Sequence, residues 1–135
     1  MISEAFRGGI FHFLSDPKDG LTGCYEFFED GLLVVESGRI TQLGDAELLI
    51  GELDISVKIH DYTRKIICPG FVDTHVHYPQ LAIIGSYGES LLHWLENYAF
   101  DEEKKFNDAD HSLKTASYFL DELLRCGTTT AQVFG

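Results

Sequence analysis

The stretch that decides the fold is Pro69-Gly70-Phe71-Val72-Asp73-Thr74-His75-Val76-His77-Tyr78-Pro79-Gln80. From Ile66 to Val72 the chain is apolar and rich in β-forming residues, and beyond that run stand two histidines one residue apart. Alternate side chains of an extended strand share a face. His75 and His77 therefore point the same way, with Val76 on the opposite side. Pro79 has no N–H to give a sheet ladder, so the strand is expected to stop there. Two imidazoles side by side at the carboxyl end of a strand can grip one metal ion, and that end is where sites sit in parallel α/β barrels. Taken alone, a His-x-His pair is just as compatible with two ordinary strand histidines.

Downstream the periodicity changes. Leu91, Leu92, Trp94, Leu95 and Tyr98 sit near helical spacing, with Ser90 as a candidate N-cap. Trp94 either faces a pocket or packs in the core, and His93 is expected to be exposed. Asp101-Glu102-Glu103-Lys104-Lys105 reads as a solvated loop or a helix end. Asn107 or Asp108 can cap the next helix, where Leu113, Ala116, Leu120, Leu123 and Leu124 make an apolar stripe widened by Phe119. Gly127, following Arg125 and Cys126, fits the glycine that ends a helix after a cationic last turn. Thr128 to Phe134 is β-branched and apolar, hence a strand. Strand, site loop, helix, helix, strand is a β-α-β unit, whose crossover is expected to be right-handed.

Upstream, Phe6 to Leu14 reads as a strand and Ser15-Asp16-Pro17-Lys18-Asp19-Gly20 as a loop. Tyr25 to Glu29 reads as a short strand, after which Asp30-Gly31 either turns the chain or lets it run on. Leu32 to Glu36 and Arg39 to Leu43 flank Ser37-Gly38, a two-residue hairpin signal. Asp45 to Gly51 is ambiguous. Val57, Ile59 and Asp61 alternate with Lys58 and His60, which turns one face toward a core. His12 and His60 have no ligand-like partner at short spacing and read as structural or exposed.

With 135 residues and 44% hydrophobic content the chain can fill a core. Its 10 Lys and Arg against 22 Asp and Glu give a net charge of −12. An acidic chain without a basic run is a poor partner for nucleic acid or an anionic membrane. No apolar stretch approaches the roughly 20 residues of a membrane span. Met1-Ile2-Ser3-Glu4 lacks the basic and apolar regions of a signal peptide. Cys24, Cys68 and Cys126 are odd in number and lack a C-x-x-C spacing, so they read as reduced thiols of a cytoplasmic protein.

The run from Pro69 to His77 resembles the first barrel strand of the amidohydrolase superfamily. Tyr78-Pro79-Gln80, the segment Gly85-Ser86-Tyr87-Gly88-Glu89-Ser90-Leu91-Leu92-His93-Trp94-Leu95, and Gly127-Thr128-Thr129-Thr130-Ala131 are similar to the guanine deaminase family within it. The resemblance runs from about Phe6 to Gly135 and is strongest from Pro69 onward. It implies an α/β chain in two parts. Residues 1–65 would be the N-terminal part of a small β-sandwich, and residues 66–135 the first βα units of a (β/α)8 barrel.

The same resemblance implies hydrolytic deamination of guanine to xanthine and ammonia. His75 and His77 would bind the metal, and His77, Tyr78, Pro79 and Gln80 would contact the base. The metal expected is one zinc per subunit, with iron as the alternative, since imidazole accepts both. A catalytic zinc usually keeps three protein ligands and a water whose pKa falls to about 7. Gln80 offers an amide donor and acceptor to a purine edge that carries both. Asp73 shares the histidine face by parity and is expected to serve structure or to orient an imidazole. Thr74 and Val76 are expected to pack against helices. The remaining ligands and the acid–base residues are expected beyond Gly135. The chain thus reads as an N-terminal fragment, inactive and poorly folded by itself, of a cytoplasmic homodimer.

Two other readings stay open. One is another amidohydrolase, such as a cytosine deaminase, a triazine hydrolase or a dihydroorotase-like protein. The other is a truncated, non-catalytic metal-binding or interaction module.

Overall fold

The computed structural model describes residues 3–18, 20 and 22–135, and Met1, Ile2, Asp19 and Leu21 lie outside the described residues. Asp19 of the expected loop and the first two residues of the N-terminal reading are therefore not described. The chain forms two compact units, Met1–Pro69 and Gly70–Gly135.

In the first unit, apolar alternation builds a four-stranded sheet whose first two strands in the chain are its inner pair. Its strands are β1 (Ser3–Phe13), β2 (Tyr25–Glu36), β3 (Arg39–Asp45) and β4 (Lys58–Ile67). β1 runs antiparallel to β2 and parallel to β4, while β2 and β3 form an antiparallel hairpin. The hairpin turns on Ser37 (φ 50°) and Gly38 (φ 78°), the double positive φ that matches strand twist in a two-residue loop. Asp30-Gly31 does not turn the chain; β2 runs straight through it. Asp30 instead accepts two hydrogen bonds from the Arg7 guanidinium, from Nε at 2.7 Å and Nη2 at 2.6 Å.

The ambiguous segment after β3 is a short helix, α1 (Ala46–Leu49), whose first turn is capped by Asp45 accepting from the Glu47 N–H at 2.9 Å. Ala5, Leu32, Val34 and Ala46 are buried together, with Leu49, Ile50, Leu53 and Val57 packed against them. Ile59 does not continue that burial and is 41% exposed. On the other face of β4, His60 stacks on Phe6 with ring centroids 4.9 Å apart and donates to Glu4 Oε1 at 3.1 Å. His12 likewise donates to Glu26 Oε2 at 3.2 Å. Both histidines hold sheet neighbours together, as their sequence setting suggests.

One expected strand divides in two. Ile66 and Ile67 belong to β4, opposite Gly9 and Ile10 of β1, and the histidine strand begins only at Phe71. The break falls at Cys68-Pro69-Gly70, where proline removes a ladder donor.

In the second unit β5 (Phe71–His77) and β6 (Thr128–Phe134) pair in parallel. The connection opens with a 3-10 turn over Tyr78–Ile83. It continues through α2 (Leu91–Trp94), a π-type turn (Leu95–Ala99), α3 (Phe100–Lys104) and a 3-10 turn (Lys105–Asn107) to α4 (Ala109–Arg125). Ser90 Oγ caps α2 by accepting the His93 N–H at 3.2 Å. Asp108 caps α4, accepting from the N–H groups of Asp110 and His111 at 2.9 and 3.1 Å. The charged run Asp101 to Lys105 is helical rather than loop, and Glu102 within it is buried. At the far end Gly127, with φ 83°, closes α4 by donating to the Leu124 carbonyl at 3.0 Å.

The stripe on α4 buries one edge only. Phe119 is 6% exposed, whereas Leu113, Leu120 and Leu124 are 73%, 55% and 63% exposed. Two parallel strands offer α4 a narrow surface, and the rest of its apolar face looks outward. Among the described residues no helix is long and apolar enough to cross a membrane.

Candidate metal centre

β5 delivers both histidines to one side, as strand parity requires. His75 Nε2 and His77 Nε2 lie 3.0 Å apart, with ring centroids separated by 5.1 Å and planes inclined by 37°. Neighbouring β6 places Phe134 opposite His77 in the parallel register. Its ring lies 4.6 Å from the His75 ring and 5.4 Å from the His77 ring, centroid to centroid. An apolar wall thus backs both imidazoles.

The pair fits a metal. Nitrogen ligands at about 2.0–2.1 Å from a tetrahedral zinc stand roughly 3.3 Å apart, so the Nε2 atoms need to open by only a few tenths of an ångström. Such a site needs more ligands than these two nitrogens. Among the described residues no cluster of three or more His, Cys, Asp or Glu side chains is positioned to hold a metal.

Asp73 does not reach an imidazole. Its Oδ1 accepts the backbone N–H of His75 at 3.0 Å, inside the stretch where the β5–β6 register shifts. The carboxylate therefore secures the main chain that carries the first histidine. Val76 faces the other way, into a groove lined by Leu81, Ile84, Phe119 and Leu123. Thr74 is exposed.

The residues after His77 divide by role. Tyr78 packs its ring edge-on against Phe106 at 5.1 Å and lies 6.2 Å from Phe119, so the ring is held on the α4 side. Pro79 is buried as the 3-10 turn begins. Gln80 is half-buried, and its Nε2 donates to Glu103 Oε1 of α3 at 3.0 Å. His93 is exposed and makes no ring contact with the histidine pair.

Phe134 and Glu103 are the two neighbours that sequence reading missed. Phe134 was legible as a strand residue, but its position beside the histidines depends on the β5–β6 register. Glu103 stands inside a run of five charged residues with nothing local to single it out.

A model of the amidohydrolase family matches residues 66–135. The chain is 40% identical over 135 residues to the guanine deaminase of Escherichia coli K12, covering 98% of this chain and 30% of that protein. The structure of E. coli guanine deaminase superposes with a TM-score of 0.88 at 38% identity, covering 98% of this chain and 31% of that one. That of guanine deaminase from Bradyrhizobium japonicum gives 0.86 at 36% identity, covering 99% and 29%. The chain therefore spans about 30% of the length of the curated relatives it matches.

Proposed function

The chain belongs to the amidohydrolase family, and from that premise we propose that the protein carrying these residues hydrolyses guanine to xanthine and ammonia. The observation that carries the reading is the convergence of His75 and His77 Nε2 atoms, 3.0 Å apart at the end of β5, directly before Tyr78-Pro79-Gln80. The resemblance to guanine deaminases along nearly the whole chain supports guanine over other amidohydrolase substrates. The first unit, with Ile66 and Ile67 in its β4, then contributes to a side sandwich, and the second, from Gly70 onward, opens the barrel.

His75 and His77 would hold the metal, with zinc favoured and iron the alternative. A metal held there would supply Lewis-acid activation of water near neutral pH. Asp73 fixes the backbone of His75 and so limits how far the first imidazole can swing. Phe134 shields one side of both rings from water. Gln80 would bind the purine edge through its amide, next to main chain from His77, Tyr78 and Pro79.

The test uses the complete, metal-loaded protein. Guanine, cytosine and an aminotriazine are offered in parallel while ammonia release is measured. Release from guanine alone supports the proposal. Turnover of cytosine or the triazine, with guanine untouched, overturns it in favour of another amidohydrolase.

A further inference from the structure

Gln80 has a partner that the reaction itself does not call for. Its amide nitrogen donates to Glu103 Oε1 at 3.0 Å, across 23 positions of sequence, from the turn after β5 to α3. Both side chains are half-buried. A glutamine amide has two orientations that differ little in shape but exchange a donor for an acceptor. An ionised carboxylate accepts and never donates. Glu103 therefore admits one of the two orientations: the NH2 must face it, and the flipped amide would set oxygen against oxygen.

We propose that Glu103 is a positioning residue that locks the Gln80 amide so that Oε1, an acceptor, is presented to a ring or exocyclic N–H of the base. The inference rests on Gln80 binding guanine, as proposed above. One N–H of Gln80 is spent on Glu103. What remains for a ligand is the full acceptor capacity of Oε1 and a single N–H. The locked amide thus favours a base edge that offers donors over one that offers only acceptors. Glu103 also gains geometry from its own surroundings. Lys104 pairs with Asp101 and Lys105 with Glu102, so both adjacent lysines are engaged by other carboxylates. Glu103 forms no ion pair among the described residues, and Gln80 is its hydrogen-bond donor.

The experiment is a double-mutant cycle on the complete, metal-loaded protein with guanine as substrate. Glu103→Ala is expected to raise KM about tenfold, the weight of one well-aligned hydrogen bond, with kcat changing less than about threefold. Glu103→Gln keeps the shape and one acceptor but tolerates either amide orientation, so its KM is expected to fall between the wild type and Glu103→Ala. In a Gln80→Ala background the same Glu103 substitutions should leave KM unchanged, because the amide they act through is gone. Equal KM increases in both backgrounds would overturn the inference and mark Glu103 as a general support of α3. Normal KM in Glu103→Ala, with KM raised in Gln80→Ala, would overturn it while leaving Gln80 as a binding residue. Normal KM in Gln80→Ala would remove the binding role of Gln80 and the inference with it.

Discussion

Replacing Gly70 by alanine is expected to destabilise the protein by about 2 kcal/mol, although the site is the start of a strand and not the middle of a core. A Cβ built there would collide with Thr129 Oγ1 and Cγ2 and lie 2.6 Å from its Cβ. Ordinary contact between carbon atoms is about 3.5–4.0 Å. Rotating the Thr129 side chain moves the first two atoms but not the third, which is fixed to the β6 backbone. β6 must therefore retreat from β5 by about 1 Å, next to the hydrogen bond from Phe71 N–H to the Gly127 carbonyl at 2.8 Å. Overpacking of this kind costs about 1–3 kcal/mol. Urea denaturation of the metal-loaded complete protein, compared at constant m-value, measures the loss. The cost should shrink in a Thr129→Ala background and shrink further with Thr129→Gly, since those remove the clashing atoms in turn. A loss below about 0.5 kcal/mol, the range of a harmless surface change, would refute the close approach of the two strands. Strict additivity with the Thr129 substitutions would refute it as well.

Other perturbations probe the rest of the structure. His75→Ala and His77→Ala should each lower metal affinity by more than about a hundredfold, beyond what outer partners of a metal contribute; metal content after dialysis at matched protein stability reads this, and full occupancy in either variant would exclude that histidine as a ligand. Gly127→Ala should cost about 1 kcal/mol, because φ is 83° there and an L residue is strained in that region, with Gly127→Asn milder; equal stability of all three in denaturation would contradict the helix ending. The Arg7 guanidinium, by hydrogen bonding, holds the Asp30 carboxyl below its usual range, and Thr63 does the same for Asp61. A lowered folded-state pKa means stability fully present above the unfolded value near 4 and lost as pH falls through the folded values. Asp30→Asn should therefore flatten the acid side of a stability-versus-pH curve, and an unchanged acid limb would count against the pair. Residues 1–135 expressed alone should self-associate through Leu113, Leu120 and Leu124 and the exposed Phe71 and Val72; a monodisperse monomer in sedimentation would contradict that.

Local chemistry makes much of this chain legible from its residues alone. Ser37-Gly38, Ser90, Asp108 and Gly127 act within a few residues of themselves, through φ preferences and side-chain caps, and each does what its identity suggests. His75 and His77 share a face because a strand has a period of two, which needs no tertiary information. The resemblance seen from Pro69 onward was likewise carried by the residues themselves, and the family match covers residues 66–135.

What escaped the sequence depended on partners far along the chain. Ile66 and Ile67 look continuous with Val72, but hydrogen bonding assigns them to β4 beside Gly9 and Ile10. Periodicity marks the apolar side of α4, yet only a neighbouring surface decides which part is covered; Phe119 is, and Leu113 is not. Asp73 has the parity of a residue aimed at an imidazole, but the nearer backbone N–H of His75 takes its carboxylate. Phe134 meets the histidines 57 positions from His77 through strand register, and Glu103 meets Gln80 across 23. The turns, the caps and the histidine pair follow from backbone geometry over a few residues and so can be read from the chain directly. What surrounds that pair, and which way the glutamine amide faces, rest on contacts that exist only once distant segments are brought together.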